Sequence, residues 1–135
     1  MILSELCKCT NEASDFSVSL FFSFLSLFKS NPTQKRLYVK AVEALENTTK
    51  DVSINSIAES YNITAAHFIR NFKASYGMTP NEYRLNFRIS QAINLLSMTN
   101  LSINEIAAQC GFVDSFYFSR IFKKKVGVSP SKYRK

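Results

Sequence analysis

Hydrophobic residues recur every three or four positions along most of the chain, the spacing that places them on one face of an α-helix. The most apolar stretch is residues 16–28 ("FSVSLFFSFLSLF"). It is shorter than the roughly 20 residues that span a bilayer, and Glu5, Glu12 and Asp15 precede it, unlike the basic leader of a signal peptide. We therefore predict an apolar N-terminal helix and no membrane span.

Two interpretations of residues 1–30 stay open. Either the apolar helix packs against a partner, for example in a homodimer through residues 14–30, or the segment is the remnant of a larger domain. After it, Asn31-Pro32 interrupts the helical conformation, and a helix is predicted to begin near Thr33. The residues at core spacing on that helix are Leu37, Ala41, Ala44 and Leu45.

From residue 53 onwards the hydrophobic pattern occurs twice. Residues 53–63 match residues 102–112 at five of eleven positions, and residues 68–84 match residues 118–134 at eight of seventeen. Self-similarity of this extent indicates a duplicated structural unit. We call residues 53–84 the first unit and residues 102–134 the second unit.

Each unit is predicted to contain a helix, a tight turn and a second helix, the arrangement of a DNA-reading helix-turn-helix. A capping box that starts at Ser102 begins the first helix of the second unit. Asn62 and Gly111 stand in the turns, where a positive φ is often required. Gly77 and Gly127 are predicted to end the second helices.

The two helix-turn-helices are predicted at about residues 53–75 and 102–126, in a domain that covers residues 31–135. Between them, "TPNE" from Thr79 is another capping box with proline at the first helical position, so a linker helix is predicted over about residues 80–98. Its length, roughly 27 Å, is comparable with the roughly 34 Å of one DNA turn. Two recognition helices joined by this linker would reach successive major grooves.

Composition and charge support this interpretation. The chain has 12 Phe, no Trp and only three Gly and three Pro, which favours packed helices. The net charge is +7, and seven basic residues with no acidic one stand between Tyr117 and Lys135. A cationic surface of this kind suits nucleic acid or an acidic membrane face.

Other chemistry is sparse. No paired carboxylates, nucleophile with base or glycine-rich phosphate loop is present, so we predict no enzyme and no cofactor. Cys7, Cys9 and Cys110 form neither a disulfide framework nor a zinc site, which indicates a reduced, cytoplasmic protein. The Cys7-Lys-Cys9 pair is a weak signal for a soft metal or redox sensing, and Cys110 is interpreted as a small buried hydrophobe. His67, the one histidine, is interpreted as a surface or DNA-backbone residue and not a metal ligand.

In the second helix of each unit, two Phe residues four positions apart are predicted to face the core: Phe68 with Phe72, and Phe118 with Phe122. The opposite, outward face is predicted to carry Ala66, His67, Arg70 and Lys73 in the first unit, and Phe116, Tyr117, Arg120, Lys123 and Lys124 in the second.

Arg70 and Arg120 occupy equivalent positions, where arginine can donate two hydrogen bonds to guanine; the alternatives are a solvated arginine or a phosphate contact. Phe116 fits a thymine methyl group, with packing against the linker helix as the alternative. Because Ala66 stands in its place in the first unit, the two units should prefer different sequences. The predicted phosphate-contacting residues are His67, Lys73, Lys123, Lys124 and Lys125.

The stretch "IAAQCGFVDSFYFSRIFKKKVGVSPSKYR" (residues 106–134) closely resembles the C-terminal signature of the AraC/XylS family of bacterial transcription regulators. "IAESYNITAAHFIRNFKASYGMTPNEYR" (residues 57–84) with "RISQAINLL" (residues 88–96) looks like the first half of the same domain. The resemblance implies an all-α domain of about seven helices, with two helix-turn-helix units and a long linker helix, that binds promoter DNA and usually recruits RNA polymerase. The family's base-contacting positions fall here on Ala66, Ile69, Arg70, Ser115, Phe116, Tyr117 and Arg120.

The resemblance covers about residues 33–135 and does not extend to the first thirty residues, where longer members carry a sensor or dimerisation domain. The leading hypothesis is therefore a sequence-specific transcription regulator, and an activator in preference to a repressor. The alternative is a small modulator that binds and inhibits a related regulator through its N-terminal segment.

Overall fold

The computed structural model describes residues 37–134, and all regular secondary structure in that range is α-helical, which confirms the predicted all-α class. The predicted apolar N-terminal helix, the 14–30 dimer segment and the Cys7-Lys-Cys9 pair lie outside the described residues. The helices are α1 (Val39–Glu46), α2 (Ile54–Ser60), α3 (Ala65–Tyr76), α4 (Pro80–Met98), α5 (Ile103–Gln109), α6 (Ser115–Val126) and α7 (Pro130–Arg134).

Helix α1 differs in part from its prediction. The start predicted near Thr33 lies outside the described residues. Ala41 and Leu45 are buried as predicted, and Ala44 is half-buried. Leu37, however, is 64% exposed, so its prediction as a core residue is wrong.

Tyr38 takes the inward position that the pattern assigned to Leu37. Its ring meets the Tyr61 ring edge-on with 5.3 Å between centroids, and the Phe68 ring with 5.5 Å. The Tyr61 hydroxyl in turn accepts a hydrogen bond of 3.1 Å from the backbone N–H of Ala41. Helix α1 is therefore attached to the first unit through aromatic contacts, which favour edge-on geometry.

Each unit has its own hydrophobic core, and the linker helix α4 contributes to both. The buried core of the first unit consists of Tyr38, Ala41, Leu45, Ile57, Ala58, Phe68 and Phe72, with Tyr83 of α4 packed against it. The buried core of the second unit consists of Ile89, Ala92, Ile93 and Leu96 of α4 with Ile106, Ala107, Cys110, Phe112, Phe118 and Phe122. One helix thus packs its N-terminal half on one unit and its C-terminal half on the other.

The residues that the two units share make the same contacts twice. Tyr83 meets Phe72 edge-on with 5.7 Å between ring centroids, and Tyr133 meets Phe122 at the same distance and a similar angle. The sequence duplication is therefore a duplication of packing.

The arginine that follows this tyrosine is duplicated in the same way. The Arg84 guanidinium donates to the Val52 carbonyl oxygen, and the Arg134 guanidinium donates to the Leu101 carbonyl oxygen. Each carbonyl belongs to the residue before the helix-capping serine of its unit. Each arginine thus connects the end of its unit to the residue just before the unit begins.

The turns have the backbone geometry that the sequence predicts. Asn62 has a φ of 57° and Gly111 a φ of 80°, so both turns pass through the left-handed region. Gly77 and Gly127, with φ of 75° and 95°, follow the last residues of α3 and α6. Both predictions are confirmed, because glycine adopts this region without steric cost and asparagine tolerates it.

The capping boxes predict an acid-sensitive contribution to stability. The backbone N–H of Thr79 donates to the Glu82 carboxylate at 2.8 Å, which lowers the pKa of Glu82 below its usual 4.5. Since the folded-state pKa is the lower one, this stabilisation is present above pH 4.5 and is lost as the pH falls through the folded-state pKa. We expect the unfolding free energy of Glu82→Gln to fall less than that of the unaltered protein as the pH is lowered below 4.5. Urea denaturation at a series of pH values measures this difference. Glu43→Gln, at an exposed position of α1, is the control, and equal pH profiles for both variants would contradict the prediction.

Candidate nucleic-acid interface

The outward face of α3 carries the residues that the sequence assigns to it. Phe68 and Phe72 are fully buried, and Ala66, His67, Arg70 and Lys73 are all exposed on the helix surface. The Thr64 hydroxyl caps the helix by accepting a hydrogen bond of 3.2 Å from the backbone N–H of His67. This cap leaves the first turn of α3 available at the surface, where a recognition helix contacts base edges.

Two predicted base-contacting residues are less accessible. Ile69 is half-buried, on the shoulder between the core and the outward face of α3. Ser115, the first residue of α6, is half-buried as well. Both lie at the edge of the exposed face, and their side chains are less exposed than those of Arg70 and Phe116.

The outward face of α6 is more aromatic. Phe116 is 86% exposed and Tyr117 is 43% exposed. The alternative that Phe116 packs against the linker helix is therefore wrong. The Asp114 carboxylate accepts hydrogen bonds from the backbone N–H groups of Phe116 at 2.7 Å and Tyr117 at 3.3 Å, and so fixes the turn that presents both rings.

Arg120 is exposed and is oriented by Tyr117. Its guanidinium carbon lies 5.7 Å from the centroid of the Tyr117 ring, within the range of a cation–π contact. The Tyr117 ring also approaches Phe112 of the turn, with 6.2 Å between centroids. In the first unit, His67 stands in the place of Tyr117 and Arg70 in that of Arg120. The two outward faces therefore share the arginine and differ around it.

Basic residues lie at the C-terminal ends of both recognition helices. Lys73 in α3 and Lys123, Lys124 and Lys125 in α6 are all exposed in the last turn. Cations at this end of a helix are favoured by the helix dipole, and exposed lysines provide the point charges that contact phosphates.

Sequence reasoning missed Val113, which is fully exposed. An apolar residue just before the capping residue of a helix often packs onto the helix as a hydrophobic staple. Val113 precedes the cap Asp114 and does not do so. An apolar residue at that position is ambiguous from sequence alone, and here it extends the apolar surface at the start of α6.

The described residues contain little other candidate chemistry. Within residues 37–134 no group of three or more His, Cys, Asp or Glu side chains could hold a metal ion. In the same range, no helix combines the length and the apolar character needed to cross a membrane. His67 lines an open hollow of about 500 Å³ at the turn of the first unit. Cys110 is fully buried, and burial raises the pKa of its thiol to about 11, so it is the buried hydrophobe that the sequence predicts.

Comparisons with known proteins agree with this geometry. A family model described as a helix-turn-helix domain matches residues 57–135. The raffinose operon transcriptional regulatory protein RafR of Pediococcus pentosaceus is 30% identical over 124 residues, which cover 86% of this chain and 44% of that protein. The HTH-type transcriptional activator RhaR of an Enterobacter species is 30% identical over 140 residues, covering 96% of this chain and 50% of that protein. The chain thus spans half or less of the length of these two relatives.

Solved structures with the same fold include DNA-binding domains. A transcriptional regulator from Chromobacterium violaceum, described as an AraC-type DNA-binding domain-containing protein, has a TM-score of 0.69 and 28% identity, over 77% of this chain and 94% of that one. The DNA-binding domain of the global transcriptional factor AdpA, solved in complex with a target DNA, has a TM-score of 0.64 and 27% identity, over 78% of this chain and 91% of that one.

Proposed function

The chain belongs to the AraC-type helix-turn-helix family of DNA-binding transcription regulators, and from this premise we propose that it binds a specific promoter sequence with both recognition helices, α3 and α6. The observation that carries the proposal is the placement of Arg70 and Arg120. Each is exposed, each lies opposite a pair of fully buried phenylalanines, and each occupies the same position of a duplicated unit.

The linker helix supports binding to successive major grooves. Helix α4 has 19 residues, so its length is roughly 28 Å at about 1.5 Å per residue. One turn of DNA measures roughly 34 Å. A rod of this length with one recognition helix near each end suits a site in which two short sequence blocks lie about one helical turn apart.

The proposed contacts divide by chemistry. Arginine at the centre of each outward face binds guanine, and Phe116, exposed to water without DNA, covers a thymine methyl group. The proposed base-contacting residues are Ala66, Ile69, Arg70, Ser115, Phe116, Tyr117 and Arg120. The proposed phosphate-contacting residues are His67, Lys73, Lys123, Lys124 and Lys125, which set the affinity and its salt dependence.

We further propose that the protein is an activator that contacts RNA polymerase at a promoter, in the bacterial cytoplasm. The support is the family, whose relatives here include a transcriptional activator from an Enterobacter species and a lactose operon transcription activator from Staphylococcus xylosus. A role of residues 14–30 in a homodimer, or in binding and inhibiting a related regulator, rests on residues outside the described range. Nothing in residues 37–134 favours catalysis as a second function.

Selection of bound sites from random DNA tests the proposal. We expect enriched sites with two different sequence blocks about 10 base pairs apart, because the two outward faces differ. Affinity for the selected site should fall steeply with salt. Enrichment of one block only, or of no sequence, would contradict binding by both helices.

A further inference from the structure

One arginine of the linker helix lies between the loop that leads into the first unit and the turn of the second unit. Arg88 of α4 extends its guanidinium to Asp51, with 3.1 Å between Nη2 and Oδ1, and Asp51 belongs to the loop before the first unit. On its other side lies the turn of the second unit, since a Cβ added to Gly111 would be 3.2 Å from both Cζ and Nε of Arg88. The same Cβ would be 3.1 Å from the carbonyl oxygen of Thr48 in that loop.

The contact at Gly111 leaves little room for a side chain. A Cβ at 3.1 Å from a backbone oxygen is tighter than nine in ten real Cβ contacts, and the φ of 80° disfavours other residues independently. The backbone of the second unit therefore packs directly on the loop that precedes the first unit and on the flat guanidinium. Four residues, Thr48, Asp51, Arg88 and Gly111, form this contact, which we call the junction.

Arginine is a costly residue at this position. The Arg88 side chain is only 13% exposed, and its buried Nε has no hydrogen-bond partner within residues 37–134. Asp51, its ionic partner among the described residues, is 70% exposed and also pairs with Arg84 at 2.9 Å. An apolar side chain of similar length would avoid burying an unsatisfied N–H group. Stability alone thus does not account for arginine here.

A geometric role does account for it. The guanidinium is planar and rigid, and its position is fixed by the pairing with Asp51. Cores on either half of α4 hold each unit to the linker helix. The junction adds a contact between the loop that leads into the first unit and the turn that leads into α6, and such a contact restrains rotation of one unit against the other.

We propose that Arg88 is a positioning residue that fixes the orientation of the two recognition helices relative to each other, so that the protein selects DNA sites by the distance between their two sequence blocks. This inference rests on the proposed binding through both helices. Arg88 itself contacts no base in this role, and its effect is to make an incorrectly spaced site costly to bind.

The first test measures affinity for DNAs in which the two selected blocks are separated by the optimal spacing or by one or two base pairs more or fewer. We expect the unaltered protein to bind the optimal spacing about tenfold more tightly, which corresponds to about 1.4 kcal/mol. Arg88→Met should reduce that preference to about threefold or less while leaving the affinity for a DNA with a single block unchanged. Arg88→Lys, which retains the charge without the planar fork, should give the same result and guards against loss of folding in the methionine variant.

Arg84→Met is the matched control. Arg84 lies one helical turn before Arg88 and shares Asp51, but its other hydrogen bond goes to the Val52 carbonyl oxygen, just before the first unit, and not towards the second unit. This variant should retain the spacing preference. If both Arg88 variants keep the spacing preference of the unaltered protein, the role of Arg88 is overturned and the proposed function stands. If the unaltered protein itself binds only one block, both the proposed function and the role of Arg88 are overturned.

A second test uses no DNA. Spin labels on cysteines introduced at the exposed positions Ala74 in α3 and Lys124 in α6, with Cys7 and Cys9 replaced by serine, report the distance between the recognition helices. We expect a broader distance distribution in Arg88→Met than in the labelled parent. An unchanged distribution would overturn the inference regardless of how the protein binds DNA.

Discussion

Replacing Phe122 by alanine is expected to destabilise the second unit by about 3–5 kcal/mol, the usual cost of removing a buried aromatic side chain. Phe122 is fully buried. Its ring lies between Phe118, at 5.6 Å between centroids, and Tyr133, at 5.7 Å. Alanine would leave a cavity between these two rings, and it would remove a ring contact between α7 and α6. Urea denaturation followed by circular dichroism measures the loss.

The size of this effect matters because whole domains are stable by only about 5–15 kcal/mol. Since each unit has its own core, the loss should fall first on the second unit. Amide hydrogen exchange should therefore show faster exchange in α5 and α6 than in α2 and α3. Uniform acceleration along the chain would indicate that the two cores unfold as one body.

Phe116→Ala is the matched control on the same helix. Phe116 is 86% exposed, so its removal should change the unfolding free energy by less than about 0.5 kcal/mol. Binding to the selected DNA site should nevertheless weaken, because an apolar contact with a thymine methyl group is lost. Deoxyuridine lacks that methyl group. In place of the thymine it should lower the DNA affinity of the unaltered protein and leave the affinity of Phe116→Ala unchanged. Destabilisation by Phe116→Ala comparable to that of Phe122→Ala would contradict this division between core and surface.

The duplication explains why much of the fold is predictable from sequence. Phe68 and Phe72, repeated as Phe118 and Phe122, fix which face of each recognition helix is buried, and the outward faces follow from the helical period. Agreement between two copies of a pattern makes each copy more certain. The glycines and the asparagine at the turns are predictable for a related reason, because few residues tolerate a positive φ.

The unpredicted features depend on contacts between distant parts of the chain. Leu37 and Tyr38 both stand at helical spacing from Ala41, and only the rings of Tyr61 and Phe68 decide which one is buried. Local periodicity cannot distinguish them, because both satisfy it.

The junction is hidden from sequence analysis for the same reason. Asp51 and Arg88 lie 37 positions apart, and the repeat gives no indication of their pairing, since Arg88 lies outside the duplicated stretches. A contact that joins the two units has no counterpart within either one, so the comparison of the copies does not reveal it.

Arg120→Ala is expected to lower the affinity for the selected site by about 1–3 kcal/mol and to leave the affinity for random DNA nearly unchanged. The reason is geometric: a guanidinium can donate to both O6 and N7 of guanine, and Arg120 is exposed and oriented by the Tyr117 ring at 5.7 Å. Arg120→Lys should restore little of the loss, because an ammonium group lacks the planar fork. Competition binding on the selected and the random DNA at one salt concentration measures both affinities.

Lys124→Ala provides the contrast on the same helix. Lys124 is exposed in the last turn of α6. Loss of a phosphate contact there should lower the affinity for both DNAs equally and reduce the slope of affinity against salt concentration by about one. The decisive measurement replaces the guanine opposite Arg120 by 7-deazaguanine, which lacks the N7 acceptor. This replacement should lower the DNA affinity of the unaltered protein and leave that of Arg120→Ala unchanged, because the variant already lacks the hydrogen bond. Two results would assign Arg120 to the phosphate backbone. One is that 7-deazaguanine lowers the affinity of both proteins equally, and the other is that Arg120→Ala loses as much affinity for random DNA as for the selected site.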